Sequence, residues 1–357
     1  SSTGAISPVA GGTSIITYTV TGTGGCSNAA STRDVTISSD TYYVKPAASG
    51  GSDSNNGLTS GTAFATLQKA IDMVGCSSTT INVAAGTYTE EDIDIFTANI
   101  SIIGAGVSTI FDGDGDGRLF TINASNTSIS NMLIKEYGLT SGCSTSGRCG
   151  GGAIEIGNSS NTLTGISISG VTFSDNVTDG TSGDGGAIEL QDNCTVTVEN
   201  CIFNGNKAGS ATSSDTGRNG GAMKLNSGAS ATINNCLFYE NRARQSGGGI
   251  STWGGDITIN NSTITDNIQY SNNAAIHINS GTVTVNNSII YNNYYNASLG
   301  DDIYGSSTTN YCIYRSTSST THNNAVGTSD PQFTDAANDD YTLQSSSPAV
   351  DAGSSSY

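Results

Sequence analysis

Along most of this chain apolar and polar residues alternate with a period of two, in short runs closed by Gly, Asn or Asp. Such runs predict short β-strands separated by turns. The pattern begins near "INVAAGTYTE" (81–90), continues through "ISIIGAGVSTIFDG" and "ISNMLIKEY", and holds to about residue 350. One helical period interrupts it. Phe64, Leu67, Ile71 and Val74 fall on one helical face and Gly75 can end the element, which predicts a helix over 64–74. Ahead of it, alternating stretches at Ser14–Val20 and Arg33–Ile37 flank a Gly-rich turn. Two strands alone are too few to fold independently.

The strand pattern is written as a repeat. "GGAIEIGNSSNTLTGISISGVTFSDN" (151–176), "GGAIELQDNCTVTVENCIFNGN" (185–206) and "GGAMKLNSGASATINNCLFYEN" (220–241) are followed by two looser versions, at 247–267 and 274–293. Aligned on the third residue of the motif, Ala153, Ala187, Ala222, Gly249 and Ala275 share a column, with separations of 34, 35, 27 and 26 residues. The next column is Ile154, Ile188, Met223, Ile250, Ile276, and two places on it is Ile156, Leu190, Leu225, Thr252, Ile278. Between them sits a column that the period of two turns outward: Glu155, Glu189, Lys224, Ser251, His277. Further along, Phe173, Phe203, Phe238, Ile264 and Ile290 align, and three residues after each stands an asparagine, from Asn176 to Asn293.

Conserved inward columns beside variable outward ones predict stacked repeats about 4.8 Å apart, each adding one strand to each of several parallel sheets. The fold class expected is all-β: a right-handed parallel β-helix of about ten coils, with an N-terminal capping helix and a small N-terminal β segment. The asparagines are expected to form a ladder that satisfies the turns. Spacings above 26 residues then carry insertions between the asparagine and the next GGA, as at 207–219, all leaving from one corner. The domain reading is a β segment over 1–39 and a β-helix over 40–357, with its cap at 41–80 and coils over about 81–350.

Composition narrows the partners. Charged residues are 12% of the 357, about half the usual share, and the net charge is −18. Such a chain would be repelled by a phosphate backbone, so nucleic acid is excluded as a partner. No apolar run is long enough to cross a membrane as a helix. No signal-peptide pattern opens the sequence, so the expectation is a mature chain or a fragment. The eight cysteines include no CxxC pair, and Cys143 and Cys149 bracket a Gly/Ser-rich loop suited to a disulfide. Cys201 and Cys236, aligned with Ser262 and Ser288, are expected as inward buried thiols.

The GGA[I] and FxxN pattern resembles the repeat of polymorphic outer-membrane proteins, a family of β-helical bacterial surface adhesins. "YYVKP…FATLQKAID…INVAAGTY" and "DPQFTDAANDDYTLQSSSPAVDAG" resemble the opening and closing segments of secreted right-handed β-helix proteins of the pectate-lyase-like superfamily. "GTSIITYTVTGTGGCSNA" resembles the end of an immunoglobulin-like tandem repeat of large secreted surface proteins of gliding bacteria. Together these cover about residues 41–353 and the first tenth of the chain. They imply an extracellular, bacterial cell-surface location and neighbouring domains of a longer chain.

Three sets of residues are candidates for chemistry. Glu155 and Glu189 could hold Ca²⁺ beside Lys224, with Arg242 or Arg244 as acid or carboxylate clamp, as a uronic-acid lyase requires. A lysine above a glutamate is equally an ordinary cross-strand pair, and His277 reads as a surface residue. Asp112, Asp114 and Asp116 in "FDGDGDGRLF" place oxygen ligands at alternate positions, suited to Ca²⁺ or simply to a polar turn. Trp253, the only tryptophan, stands in a polar column and is expected exposed, with Arg242 and Arg244 beside it and Lys224 and His277 at the border, as a glycan groove. The function expected is a non-catalytic module of a secreted bacterial adhesin that binds extracellular glycans or acts as a rigid spacer. The alternative is a Ca²⁺-dependent polysaccharide lyase.

Overall fold

The computed structural model describes residues 12–25, 27–37, 40–75, 78–139, 150–158, 160–179, 183–209, 218–271, 274–296 and 298–356. The proposed Cys143–Cys149 bridge and most of the 207–219 insertion lie outside them. The described chain is all-β apart from one α-helix and three short 3-10 turns. Most strands belong to long stacked parallel sheets in which each strand pairs with its counterpart one repeat later. This arrangement is consistent with a β-helix-like solenoid. No helix among the described residues is long and apolar enough to cross a membrane.

Each central repeat contributes strands at four positions. The first wall stacks Ile154–Ile156, Ile188–Leu190, Met223–Leu225, Ile250–Trp253 and Ile276–Ser280. The second stacks Thr195–Glu199, Ser230–Asn234, Asp256–Asn260 and Val283–Asn286. The third stacks Ile202–Asn204, Leu237–Tyr239, Thr263–Thr265 and Ile289–Tyr291. A narrow strip of two-residue strands, among them Lys207–Ala208, Arg242–Ala243 and Ile268–Gln269, closes the turn back to the first wall. Pairing is in register through this region apart from a shift at Trp253, so Ile154 faces Ile188, Val198 faces Ile233, and Phe203 faces Phe238.

That register stacks like on like in the core. Phe173, Phe203 and Phe238 form a parallel pile with ring centroids 4.8 and 4.5 Å apart, continued by the buried Ile264 and Ile290. Burying each such side chain contributes roughly 1.5–3 kcal/mol. Thr252 replaces a leucine in an inward column at no loss of satisfaction, because its hydroxyl donates to the Gly255 carbonyl and accepts from its N–H. Cys201 and Cys236 are buried thiols at the turn between the second and third walls. There the backbone N–H of Cys201 donates to Cys236 Sγ, that of Cys236 to Ser262 Oγ, and that of Ser262 to Ser288 Oγ. The preceding residue, Asn200, Asn235, Asn261 or Asn287, has φ near +50°, which Asn tolerates better than most residues.

The second turn is held by side chains. Asn176, Asn206, Asn241, Asn267 and Asn293 are fully buried and bond to one another, each Nδ2 donating to the next Oδ1 at 2.9–3.1 Å. Each Oδ1 also accepts the backbone N–H of the preceding asparagine, and each Nδ2 also reaches a third-wall carbonyl of the previous repeat. The chain of amides starts at the Tyr137 N–H and ends on Asp302, whose Oδ1 accepts from Asn293 at 3.0 Å. Burial lifts the Asp302 carboxyl to about 6, against the pull of its hydrogen bonds from Asn293, Arg315 and Ser316.

The GG of the repeat has a steric cause. Gly185, Gly220 and Gly247 have φ of +64° to +70°, and a Cβ on Gly186 or Gly221 would stand 2.1 Å from the next repeat's carbonyl oxygen. The glycines therefore let successive repeats approach at backbone contact.

The helix is shorter than its periodicity suggests. It spans Leu67–Asp72, N-capped by the Thr66 hydroxyl, and buries Leu67, Ala70 and Ile71. Phe64 precedes it, buried and bridged to Val44 in parallel. Glu90 Oε2 and Oε1 accept the first-turn N–H groups of Leu67 and Gln68, fixing the helix to the strand region that follows. The N-terminal segment is an antiparallel pair, Gly12–Val20 with Ala29–Ile37, longer than the alternation alone marked.

Removing one rung of the amide chain should be costly. Asn241→Leu leaves the Asn206 N–H without its partner and takes one hydrogen bond each from Asn206 Nδ2, Asn267 Oδ1 and the Phe203 carbonyl, a loss of about 3 kcal/mol or more. Asn234→Ala, which breaks a half-exposed amide pair, should lose about 1 kcal/mol or less by the same denaturant titration. Equal effects would contradict the ladder's role.

Candidate functional site

The column Glu155, Glu189, Lys224, Ser251, His277 does leave the first wall away from its apolar core, but it is not exposed. All five residues are buried, between 0% and 7% accessible. The expectation of a solvent-facing column, and of His277 as a surface residue, is corrected here. The reason is that the glycine-rich segment before each strand and polar neighbours lie across this face. A Cβ on Gly150, for instance, would meet Glu189 Oε2 at 1.5 Å.

Beneath that cover the polar groups satisfy one another. Arg118, absent from the sequence candidates, pairs with Glu155 at 2.6 Å and donates to the carbonyls of Gly150 and Gly151. Gln191 donates to Glu155, and Asn226 donates to both Glu189 and Gln191. Lys224 Nζ lies 3.5 Å from Asp184, 3.4 Å from Asn226 Oδ1, and 4.8 Å from the centroid of the Trp253 ring. Asp184 is fixed in turn by the backbone and side-chain N–H groups of Asn219.

Burial dominates the titration of this network. It lifts Glu189 to about 8, with the nearby Asp184 carboxylate adding to the effect and the Asn226 N–H opposing it. It also raises Asp184 and lowers Lys224, although the attraction between those two works the other way. His277 is held below its ordinary value by burial and then by Lys224.

Where this column reaches its last repeats, a cleft opens. Trp253 closes the strand Ile250–Trp253 at a register shift and is 40% exposed. His277 stacks on its cross-strand neighbour Tyr304, with centroids 5.2 Å apart and planes 7° apart. With Gln245, Ser246, Ser271, Ile278 and Asn279 they line a space of about 630 Å³. Among the described residues no carboxylate, lysine or arginine lines it. Ser251 Oγ and His277 Nδ1, on adjacent strands, are buried without a hydrogen-bond partner among the described residues.

The other sequence candidates are dispersed. Arg242 lies outside this cleft, in a second one of about 420 Å³ with Glu240, Asp266, Asp339 and Tyr341. Arg244 reaches the rim of the first cleft, where Nη1 donates to Ser271 Oγ at 2.8 Å. Lys224 lies beneath Trp253, 2% exposed, so Lys224, Arg242 and Arg244 do not converge. Asp112 is paired with Lys135 at 2.7 Å and also accepts the Asp114 N–H, while Asp116 accepts the Gly117 N–H. Among the described residues no three acidic, histidine or cysteine side chains form a metal-holding group. In the 112–116 loop Asp112 already has a cationic partner, Lys135, and in the Glu155–Glu189 pair Glu155 has Arg118. The residues that sequence reasoning missed are Arg118 and Asp184. Tyr304, one of the tyrosines on the later repeats, continues the Ser251–His277 column at a longer spacing.

Fold and site together define an all-β protein of stacked parallel strands carrying an aromatic-walled cleft. No protein-family model matches the chain, and no curated protein matches it.

Glu189 gives this face a pH signature. Its carboxyl is raised in the folded state from an ordinary value of 4.5 to about 8, so stability is greatest below 4.5 and is lost as pH rises through 8. Glu189→Gln should therefore be more stable than the parent at pH 8.5 and lose that advantage at pH 5, measured by thermal melts. A pH-independent difference would mean that the carboxyl is solvated. Chelation should leave the parent's melting temperature unchanged, and a drop that Ca²⁺ restores would show that a loop rearranges to hold the ion.

Proposed function

We propose that this chain is a non-catalytic module of a secreted bacterial cell-surface protein and binds uncharged extracellular glycans in the Trp253 cleft. On this reading the stacked repeats are a right-handed parallel β-helix. The Leu67–Asp72 helix closes its first repeat, and the Gly12–Val20/Ala29–Ile37 pair belongs to a neighbouring immunoglobulin-like unit. The parallel in-register walls support the first point, and the burial of Leu67, Ala70 and Ile71 in the common core supports the second.

The observation that carries the proposal is the cleft's lining. An exposed indole and a stacked imidazole–phenol pair offer apolar faces to a sugar ring. Amides and hydroxyls around them offer donors and acceptors without charge. In a chain of net charge −18, a cleft whose described walls carry no charge, with Arg244 at its rim, suits neutral sugars better than uronic acids. The lyase reading is weaker for the same reason. Its proton abstractor would be Lys224, which is buried and engaged by Asp184.

Neutral polysaccharides on a glycan array should therefore bind the parent with little dependence on salt. Trp253→Ala and Tyr304→Ala should each weaken binding about tenfold or more, equivalent to about 1.4 kcal/mol. Uronic-acid polymers incubated with the protein should yield no unsaturated ends. Full binding by both variants would move the site elsewhere, and no binding by the parent would leave a rigid spacer.

A further inference from the structure

The outward face of the second wall has a regularity that neither the core nor the Trp253 cleft explains. Its central position carries a hydroxyl at every level from Thr80 to Thr321, in continuous parallel register. Six successive levels are threonine: the half-exposed five, Thr197, Thr232, Thr258, Thr284 and Thr308, and then Thr321. Two residues further on, Asn234, Asn260, Asn286 and Asn310 form a second column, each amide bonded to the previous one at 2.7–2.8 Å. Those amides are engaged with one another. The five threonine hydroxyls have no side-chain partner among the described residues and lie half-exposed, about 4.8 Å apart along the stack.

Strand propensity alone does not produce this column. The outward position of the first wall reads Glu189, Lys224, Ser251, His277 over comparable repeats, and that of the third reads Asn204, Tyr239, Thr265, Tyr291. The same chain, under the same strand geometry, varies its letters on two walls and keeps them on one. Those two walls are also covered. Glycine-rich segments lie over the first, and the C-terminal segment lies against the third, where Tyr341 packs on Tyr239. That segment reaches the corner at Asn287, which bonds Ser354. Among the described residues nothing comparable lies over the second wall. Its two columns contain one charged residue, Glu199, and no aromatic ring.

A flat array with a fixed repeat has no concavity to enclose a small molecule, so its fitting partner is itself a lattice. Each threonine presents a methyl group that excludes water beside a hydroxyl that holds it. Repeated at constant spacing on a rigid sheet, these pairs give many weak contacts that add along an ordered surface and cost little ordering on binding. The absence of aromatic rings disfavours a sugar surface, which is gripped by stacking. We propose that the threonine face of the second wall binds the surface of an ice crystal.

The proposal does not rest on the glycan reading, and partition into ice tests it. An ice front is grown slowly through a solution of the full chain, and the protein taken up is compared with that of an inert protein of similar size. Thr258→Tyr and Thr258→Lys each break the array at its centre without touching an inward residue, and their melts establish that they fold. Asn204→Tyr places the same bulk as the first on the third wall. The expected result is enrichment of the parent and of Asn204→Tyr in the ice, lost in both Thr258 variants. A parent excluded from ice like the inert protein would overturn the proposal, as would enrichment that both Thr258 variants retain. Retention on cellulose or chitin particles, lost in the Thr258 variants while the parent stays out of ice, would also overturn it and assign the face to a polysaccharide surface.

Discussion

Everything in this structure depends on one constraint: every repeat must lie in register on the last, because a shift of one residue would turn each inward side chain outward. Parallel backbone pairing alone does not fix that register. The buried amide chain from Asn176 to Asn293 does, since each carboxamide bonds the side chain, the backbone N–H and a carbonyl of its neighbours at one relative position only. A slip would leave several buried polar groups without partners, each at a loss of about 1–3 kcal/mol. The phenylalanine pile, the Cys/Ser turn column and the GG approach then follow as residues that suit a turn already fixed.

Stacked repeats give the chain long walls, and what lies over each wall decides its use. Over the first, the glycine-rich segments bury a column of ionisable residues, so those residues become a sealed network with shifted titration in place of a surface. Where the cover ends, Trp253 and Tyr304 come to light beside the buried His277 and a cleft forms. Among the described residues the second wall has no cover, and its surface repeats. The third supports the C-terminal segment. Binding residues therefore sit at the edge of a cover or on a bare wall, on elements whose positions the ladder holds rigid.

The inward columns were legible in the sequence because a shared core restricts them to a few apolar letters. The asparagine column was legible for the same reason, since only one side chain fits its hydrogen bonds. The outward residues were less legible. A period of two tells which side of a strand a residue takes, but not whether another part of the chain lies over that side. That is why Lys224 and His277 were expected in solvent and are buried. Nor does it tell which wall a side chain serves once the chain turns, so Arg242, near Trp253 in sequence, faces a different cleft. Phe64 shows a related limit: its spacing from Leu67 fits a helix, yet the Thr66 hydroxyl starts the helix after it. Arg118 gave no sequence signal at all, because its partner Glu155 belongs to the next repeat.

The claim that register rests on the amide chain can be tested by deleting part of it. Asn241 and Asn267 are 26 residues apart, so removing residues 241–266 joins two equivalent positions and shortens the stack by one whole repeat. Removing half that length from the same point would join a third-wall turn to a second-wall strand and break every column. The account predicts that the full-repeat deletion keeps a cooperative melt and a parallel-sheet circular dichroism spectrum, whereas the half-repeat deletion loses both. Equal tolerance of the two deletions, or equal loss, would contradict it.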